Sequence, residues 1–272
     1  MRFTVAAAIA LSAAVAATTA SAGVVISENV VTSNRAGTQK GEETVMVQGT
    51  RQKVNTGDRT FITDLDTGRL YLLMPAEKGY AELPFPPTGV VLGMMAREGV
   101  SVELKKAGGT HKVAGYDCQD YAGSQRLGHY NVEVAECVAG AAAGVPEFVA
   151  FSKARAAKLK DSPLEFKGEI PDGIPVSSTV TATLIPFPIP RNFPPDMAAK
   201  VKEADAKIKP EVKRTTVTKI EVKHIAAKEF EVPAEYRKPV IKPTMKSGVP
   251  GGPNPPVPVP PGELPPSKPA TH

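Results

Sequence analysis

The sequence predicts an α+β protein built on a large, curved antiparallel β-sheet, with two or three helices on the concave side of the sheet. Two observations favour this architecture. Short runs of β-prone residues alternate with turn-forming residues over most of the chain, a pattern typical of antiparallel hairpins. A few longer segments instead carry apolar residues at helical spacing. Together these patterns predict one folded domain over residues 23–236.

The N-terminal residues predict a secretory signal peptide over residues 1–22. Arg2 precedes an apolar stretch at residues 5–17, and Ala20 and Ala22 fit an A-x-A cleavage site. A transmembrane anchor is the alternative, but a membrane span needs roughly 20 predominantly apolar residues, and this run is shorter. No cysteine follows the cleavage site, so the sequence offers no lipid attachment site there. We therefore expect a periplasmic or extracellular protein without a transmembrane segment.

The first half of the predicted sheet is a meander of hairpins. A strand begins with GVVISENVV at residues 23–31, and turns follow at Gln48-Gly49, at Asp66-Thr67-Gly68 and over residues 76–79. The runs between the turns are about five or six residues long, which is the usual length of a strand. Glycine and aspartate at these breaks supply the backbone conformations that tight turns need.

Three segments predict helices. Residues 86–99 carry apolar side chains four positions apart, residues 145–161 begin with Pro146 in the first turn, and residues 194–210 are helix-prone up to a proline. The second helix is predicted to turn an apolar side towards the sheet, formed by Phe148, Phe151 and Leu159. The third carries several lysines, and interrupting acidic residues favour a solvated face over a membrane-binding one.

Near the end of the domain, residues at alternating positions over 217–224 differ in character, which predicts a strand with one solvent-exposed face and one buried face. The predicted polar face carries Val217, Lys219, Glu221 and Lys223. The predicted buried face carries Thr218, Ile220, Val222 and His224.

The two cysteines, Cys118 and Cys137, are the only ones in the chain, and we expect them to form a structural disulfide. A hairpin with its turn near residues 126–128 places the two residues roughly opposite each other. The spacing contains no C-x-x-C motif, and two thiols without a histidine pair make a poor zinc site. A free nucleophilic thiol is the remaining alternative.

Residues 237–272 form a proline-rich tail whose apolar side chains are too sparse to offset the entropy of ordering. The composition predicts a disordered, extended segment with polyproline II character. Such a segment serves as a spacer, or as a ligand through which an envelope protein with a proline-recognising domain is bound.

The sequence resembles a bacterial envelope family known as domain of unknown function 4412 (DUF4412). The likeness covers most of residues 23–238, and its most specific parts are AGYDCQDY at residues 114–121 and FEVPAEY at residues 230–236. The matching positions of the second motif are Phe230, Val232, Pro233 and Tyr236. That family in turn looks related to the Lol-type lipoprotein carriers, whose fold is an incomplete β-barrel wrapped around helices.

This resemblance implies a half-barrel with an apolar cavity for acyl chains, and hence a lipid or another apolar small molecule as ligand. The residues expected to line the cavity are Leu72, Val91, Met94, Met95, Phe148 and Phe151. The alternative is a structural or interaction protein whose half-barrel is filled by its own side chains and whose tail reaches a partner. A cavity volume above roughly 300 Å³ distinguishes the first function from the second.

Motifs for catalysis, cofactors and nucleic acids are missing from the sequence. It contains no G-x-S-x-G, H-E-x-x-H, G-x-x-x-x-G-K-[ST] or G-x-G-x-x-G pattern. Asp64, Asp66 and Gly68 resemble the start of a calcium loop, but the other ligands of such a loop are lacking. The net charge of +5 is dispersed and is not interleaved with aromatic residues, unlike the surface of a single-strand binder. We therefore expect a non-catalytic protein without a cofactor, metal or nucleic-acid partner.

Overall fold

The structure is a computed structural model, and it describes residues 22–87, 103–127, 130–162, 165, 168, 170–185, 193–206 and 208–238. Within this part of the chain, eleven strands form one antiparallel sheet. The strands are β1 (Gly23–Asn34), β2 (Gly37–Gln48), β3 (Arg51–Asn55), β4 (Thr60–Asp64), β5 (Arg69–Met74), β6 (Gly79–Pro84), β7 (Lys105–Val113), β8 (Tyr116–Leu127), β9 (Tyr130–Ala139), β10 (Ile174–Leu184) and β11 (Glu211–Lys223).

The sheet is open, and its two halves meet at the N-terminal strand. The strand order is β6-β5-β4-β3-β2-β1-β11-β10-β9-β8-β7, so β6 and β7 are the two edges. In each half, strands that follow one another in sequence lie side by side, and the pairing of β1 with β11 joins the halves. Because β1 is central, residues near the two ends of the described chain lie side by side in the middle of the sheet.

Two α-helices are described, α1 (Val145–Leu159) and α2 (Pro195–Ala206). Pro146 lies in the first turn of α1 as predicted, where its missing N–H removes no intrahelical hydrogen bond. The helix packs against β1, β2 and β10. Most residues of α2 are exposed, which fits the prediction of a solvated helix. The predicted helix over residues 86–99 falls almost entirely outside the described residues.

The apolar face of α1 forms the main core with one face of the sheet, which we call the inner face. Phe151 and Leu159 are almost fully buried there beside Val24 and Val47, and Phe148 packs against the same cluster. The start of α1 needs glycine, because Gly144 has a φ of +79° and a Cβ atom there would lie 2.5 Å from Cγ2 of Val24. The helix therefore fills the part of the inner face near the N-terminus of β1.

The opposite, outer face of the first half is covered by the C-terminal segment of the described chain. Phe230 and Ile225 are buried there against Val25, Ile62 and Leu73. The motif that carried the family resemblance thus has a packing role. The segment ends beside edge strand β6, where the backbone of Arg237 exchanges hydrogen bonds with Lys78 and Tyr80. These contacts cover an edge that would otherwise be free to pair with other chains.

The predicted hairpin turn before β5 is confirmed, and its acidic residues have structural roles. One carboxylate oxygen of Asp64 accepts hydrogen bonds from the backbone N–H groups of Asp66 and Thr67, each at 3.0 Å. The other oxygen lies 3.2 Å from Nε of Arg51. The Asp66 carboxylate accepts a hydrogen bond from the Thr50 hydroxyl at 2.6 Å. These partners account for the carboxylates that resembled a calcium loop.

The predicted alternation along β11 is wrong at Val217, because the strand contains a β-bulge. Ser27 pairs with Lys219 whereas Glu28 pairs with Val217, so Thr218 is an extra residue. The extra residue moves Val217 to the same face as Ile220, and Val217 is only 1% exposed. Val222, which was expected to be buried, is 45% exposed.

None of the helices in the described segments combines the length and the apolar character that a membrane crossing requires.

Candidate ligand-binding groove

An open groove with a volume of about 710 Å³ lies on the inner face, beyond the part that α1 fills. It is formed by the C-terminal half of β1, the N-terminal half of β2 and the nearest ends of β9, β10 and β11. Its lining residues are Val30, Thr32, Asn34, Gln39, Lys40, Gly41, Glu42, Glu43, Thr56, Asp58, Arg59, Tyr130, Val180, Ala182, Glu211 and Lys213.

The two sides of the groove come from distant strands of the sheet. Arg59 precedes β4 on one side, and Tyr130 begins β9 on the other. Five inter-strand steps separate β3 from β9 in the strand order. Lining of one groove by residues so far apart in the sheet fits the curved sheet that the sequence predicts.

One wall of the groove is apolar. Val132 and Val134 of β9 are buried, and they pack with the half-buried side chains of Tyr130, Val180 and Ala182. These three half-buried residues also line the groove. The wall therefore offers hydrocarbon and aromatic surface that is still partly open to water.

Charged side chains line the rest of the groove. Nζ of Lys213 lies 2.8 Å from a carboxylate oxygen of Glu43, and this pair is mostly buried. Nε of Arg59 lies 3.7 Å from a carboxylate oxygen of its neighbour Asp58. The groove is thus half apolar and half ionic, which differs from the uniformly apolar cavity that the family resemblance implied.

Two largely buried carboxyl groups lie at the boundary between the groove and the α1-filled core. Glu28 of β1 is the cross-strand partner of Glu43, and Glu136 of β9 is the partner of Ser178. Burial raises the pKa of Glu28 to about 7, with further upward contributions from the negative charges of Glu43 and Glu136. Burial likewise raises the pKa of Glu136 to about 7. The hydrogen bond that the Ser178 hydroxyl donates to Glu136 at 3.4 Å acts in the opposite direction and lowers this pKa.

The sequence contained a signal for both carboxyl groups that our interpretation missed. Glu28 is in phase with Val24, Ile26 and Val30, and Glu136 is in phase with two valines of β9. In a strand, residues two positions apart share a face, so each glutamate had to lie on an apolar face. Only the long-range pairing of strands shows that the two groups approach the same groove.

The residues predicted to line an apolar cavity do not come together in the groove. Phe151 is 1% exposed in the core, Phe148 packs against that core, and Leu72 is half-buried on β5. None of these three residues lines the groove. Val91, Met94 and Met95 lie outside the described residues. A cavity lined by this set therefore stays a prediction, and the groove is built from other side chains.

Cys118 and Cys137 form a disulfide, as predicted, with a Cα–Cα distance of 5.4 Å. The hairpin register differs by two residues from one with the cysteines directly opposite: Leu127 pairs with Tyr130, and Cys137 pairs with Asp120. The disulfide therefore joins diagonal neighbours rather than residues directly opposite each other. Nδ1 of His111 lies 3.9 Å from Sγ of Cys137, but the two sulfur atoms are bonded to each other and are not free to bind a metal.

Among known proteins, this chain matches solved structures. No protein-family model matches the sequence, and no curated protein matches it. Among solved structures, the chain is similar to PNGF-II, with a TM-score of 0.35 and 7% identity over 77% of this chain and 29% of PNGF-II. The chain thus spans less than a third of that protein.

Two further solved structures are of similar size to this chain. One is an outer membrane lipoprotein-sorting protein domain from Vibrio parahaemolyticus, with a TM-score of 0.29 and 7% identity over 77% of this chain and 89% of the domain. The other is a LolA superfamily protein from Nitrosomonas europaea, with a TM-score of 0.28 and 10% identity over 78% of this chain and 91% of that protein. The resemblance to DUF4412 stays a prediction, and the function has to be argued from the groove itself.

Proposed function

We propose that this protein is a secreted or periplasmic, non-catalytic binding protein that holds a lipid or another amphipathic ligand in the groove of its half-barrel. The observation that carries the proposal is the groove of about 710 Å³, whose lining combines an apolar wall with charged side chains. Ligand sites of proteins have volumes of roughly 300–1,000 Å³, whereas a self-filled core leaves few voids larger than a water molecule.

The two kinds of lining match the two parts of an amphipathic molecule. A hydrocarbon chain gains roughly 0.8 kcal/mol for each CH₂ group that it buries, so contact with Tyr130, Val180 and Ala182 favours binding of an acyl or alkyl chain. The charged and polar side chains of the lining can hydrogen-bond a polar headgroup. A purely apolar ligand would leave those charged groups without such contacts.

The alternative is an interaction protein with a self-filled core and a partner-binding tail, and the packing of α1 is the observation that favours it. Phe151 and Leu159 fill their half of the inner face. The two functions differ in the other half of the inner face, which contains the groove. The proposed function requires a ligand in the groove, whereas the alternative requires that the groove hold only water.

A tryptophan substitution in the groove tests the proposal. The probe is N-phenyl-1-naphthylamine, an uncharged apolar dye that fluoresces when it leaves water, and the protein is first freed of bound lipid. We expect saturable binding to the wild-type protein. Ala182→Trp should bind the dye roughly tenfold more weakly, a loss of about 1.4 kcal/mol, because the indole ring occupies the apolar wall.

Thr183→Trp is the matched control, since Thr183 is exposed on the opposite face of the same strand. It should bind the dye like the wild-type protein. Circular dichroism and thermal melting establish that both variants are folded. Equal affinity in all three proteins, or no saturable binding in any of them, would contradict the proposal.

A further inference from the structure

We infer that the groove selects amphiphiles with a positively charged, ammonium-type headgroup over amphiphiles with an anionic one. This inference rests on the proposed function, and it follows from how the charges in the groove are paired.

Acidic groups outnumber basic groups among the lining residues. The acidic members are Glu42, Glu43, Asp58 and Glu211, and the basic members are Lys40, Arg59 and Lys213. Two of the three cations already have carboxylate partners, Glu43 for Lys213 and Asp58 for Arg59. Lys40 and Glu42 alternate with Glu43 along β2, so their side chains belong to the other face of the sheet. Glu211 is on the inner face and has no cationic partner among the described residues.

Glu28 and Glu136 do not line the groove, but they lie next to residues at its inner end and add to this imbalance. Glu28 is directly beside Glu43 and two residues from Val30, both of which line the groove. Ser178, the partner of Glu136, is two residues from the lining residue Val180. In the described part of the chain, Glu28 has no hydrogen bond or ion pair, and Glu136 has only the Ser178 hydroxyl.

The neighbouring elements provide little positive charge to these two carboxyl groups. Glu28 faces Glu43 from β2, Lys213 from β11 and Glu136 from β9, and Lys213 is already bound to Glu43. Glu136 has Tyr121 of β8 as its other cross-strand neighbour. Helix α1 carries one largely buried charge, Arg155, which forms no ion pair with the described residues.

A ligand cation at the inner end of the groove would supply the missing charge. A buried carboxylate without a cation is costly, and an opposite charge within about 4–6 Å favours its ionised form. Cation binding and loss of the carboxyl protons are therefore linked, so a ligand with a permanent positive charge should bind more tightly as the pH rises through about 7. An anionic headgroup would be repelled by the same groups.

Competition with the dye tests this inference on the full chain. Dodecyltrimethylammonium, dodecyl sulfate and dodecyl maltoside have the same alkyl chain and differ in headgroup charge, and each is used below its micelle concentration with circular dichroism as a check of folding. At pH 8.5 we expect the ammonium compound to displace the dye at a concentration roughly tenfold lower than the sulfate. At pH 6 this preference should be several-fold smaller.

Substitutions of Glu28 and Glu136 test whether these carboxyl groups cause the preference for a cationic headgroup. Glu28→Gln together with Glu136→Gln should abolish the pH dependence of the preference, since neither amide can ionise. Glu133→Gln, on the exposed face of β9, should leave it unchanged. If the dye binds but the headgroup preference is absent, reversed or retained in the double variant, this inference is overturned and the proposed function stands. If no saturable dye binding occurs, the proposed function itself is contradicted.

Discussion

At pH 8, the Glu136→Gln variant is expected to be more stable than the wild-type protein by about 3 kcal/mol. The pKa of Glu136 is raised from 4.5 to about 7 in the folded protein. For an acid with a raised pKa, the folded state holds its proton more tightly than the unfolded state. The resulting stability is fully present below pH 4.5 and is lost as the pH rises through about 7.

The variant removes this loss because glutamine stays neutral and its carbonyl oxygen can still accept the hydrogen bond from Ser178. Urea denaturation of both proteins at pH 5 and pH 8 measures the effect, and the two should differ little at pH 5. Glu133→Gln on the exposed side of the same strand is the control, with no expected change at either pH. A stability difference that is the same at both pH values would contradict the assigned burial of Glu136.

Reduction of the disulfide is expected to lower the free energy of unfolding by about 3 kcal/mol, because it removes a constraint on the unfolded chain. The bond joins residues 19 positions apart, and both cysteines are buried, at 3% and 2% exposure. Denaturation of the wild-type protein with and without dithiothreitol measures the change.

The variant with Cys118→Ala and Cys137→Ala separates the cross-link from general effects of the reductant, since its unfolding should not respond to dithiothreitol. Neither cysteine lines the groove, so the folded variant should keep the dye affinity of the wild-type protein. Loss of binding in a variant that is still folded would show that the disulfide shapes the groove.

Local turn chemistry made much of the sheet predictable. The turn at Gly49 requires a positive φ, which is +59° there, and the Asp64–Gly68 turn is fixed by side-chain hydrogen bonds within five residues. Signals of this kind depend only on neighbours in sequence. The start of α1, with Pro146 in its first turn, was predictable for the same reason.

Register was less predictable, because it depends on partners far away in sequence. The bulge at Thr218 arises from the pairing of β11 with β1, which lies about 190 residues earlier in the chain. The residues around Thr218 show no pattern that predicts it. The strand β7 was missed altogether, since its sequence KKAGGTHKV is polar and glycine-rich, and it is a strand because it pairs with β8 at the edge of the sheet.

The groove could not be located from the sequence for a similar physical reason. Its charged residues come from β2, β11 and the loop before β4, and they meet only through the pairing of strands that are distant in sequence. Resemblance to a carrier family directed the prediction to the large apolar side chains of α1. Phe148 and Phe151 are instead the residues that fill the core.

Native mass spectrometry of the protein purified from its own host measures whether the groove holds a ligand. We expect a species heavier than the bare chain by the mass of one amphiphile, released on denaturation, and no such species for Ala182→Trp isolated in the same way. Recovery of the wild-type protein only as the bare chain, or of the same adduct on Ala182→Trp, would contradict a ligand-binding role for the groove.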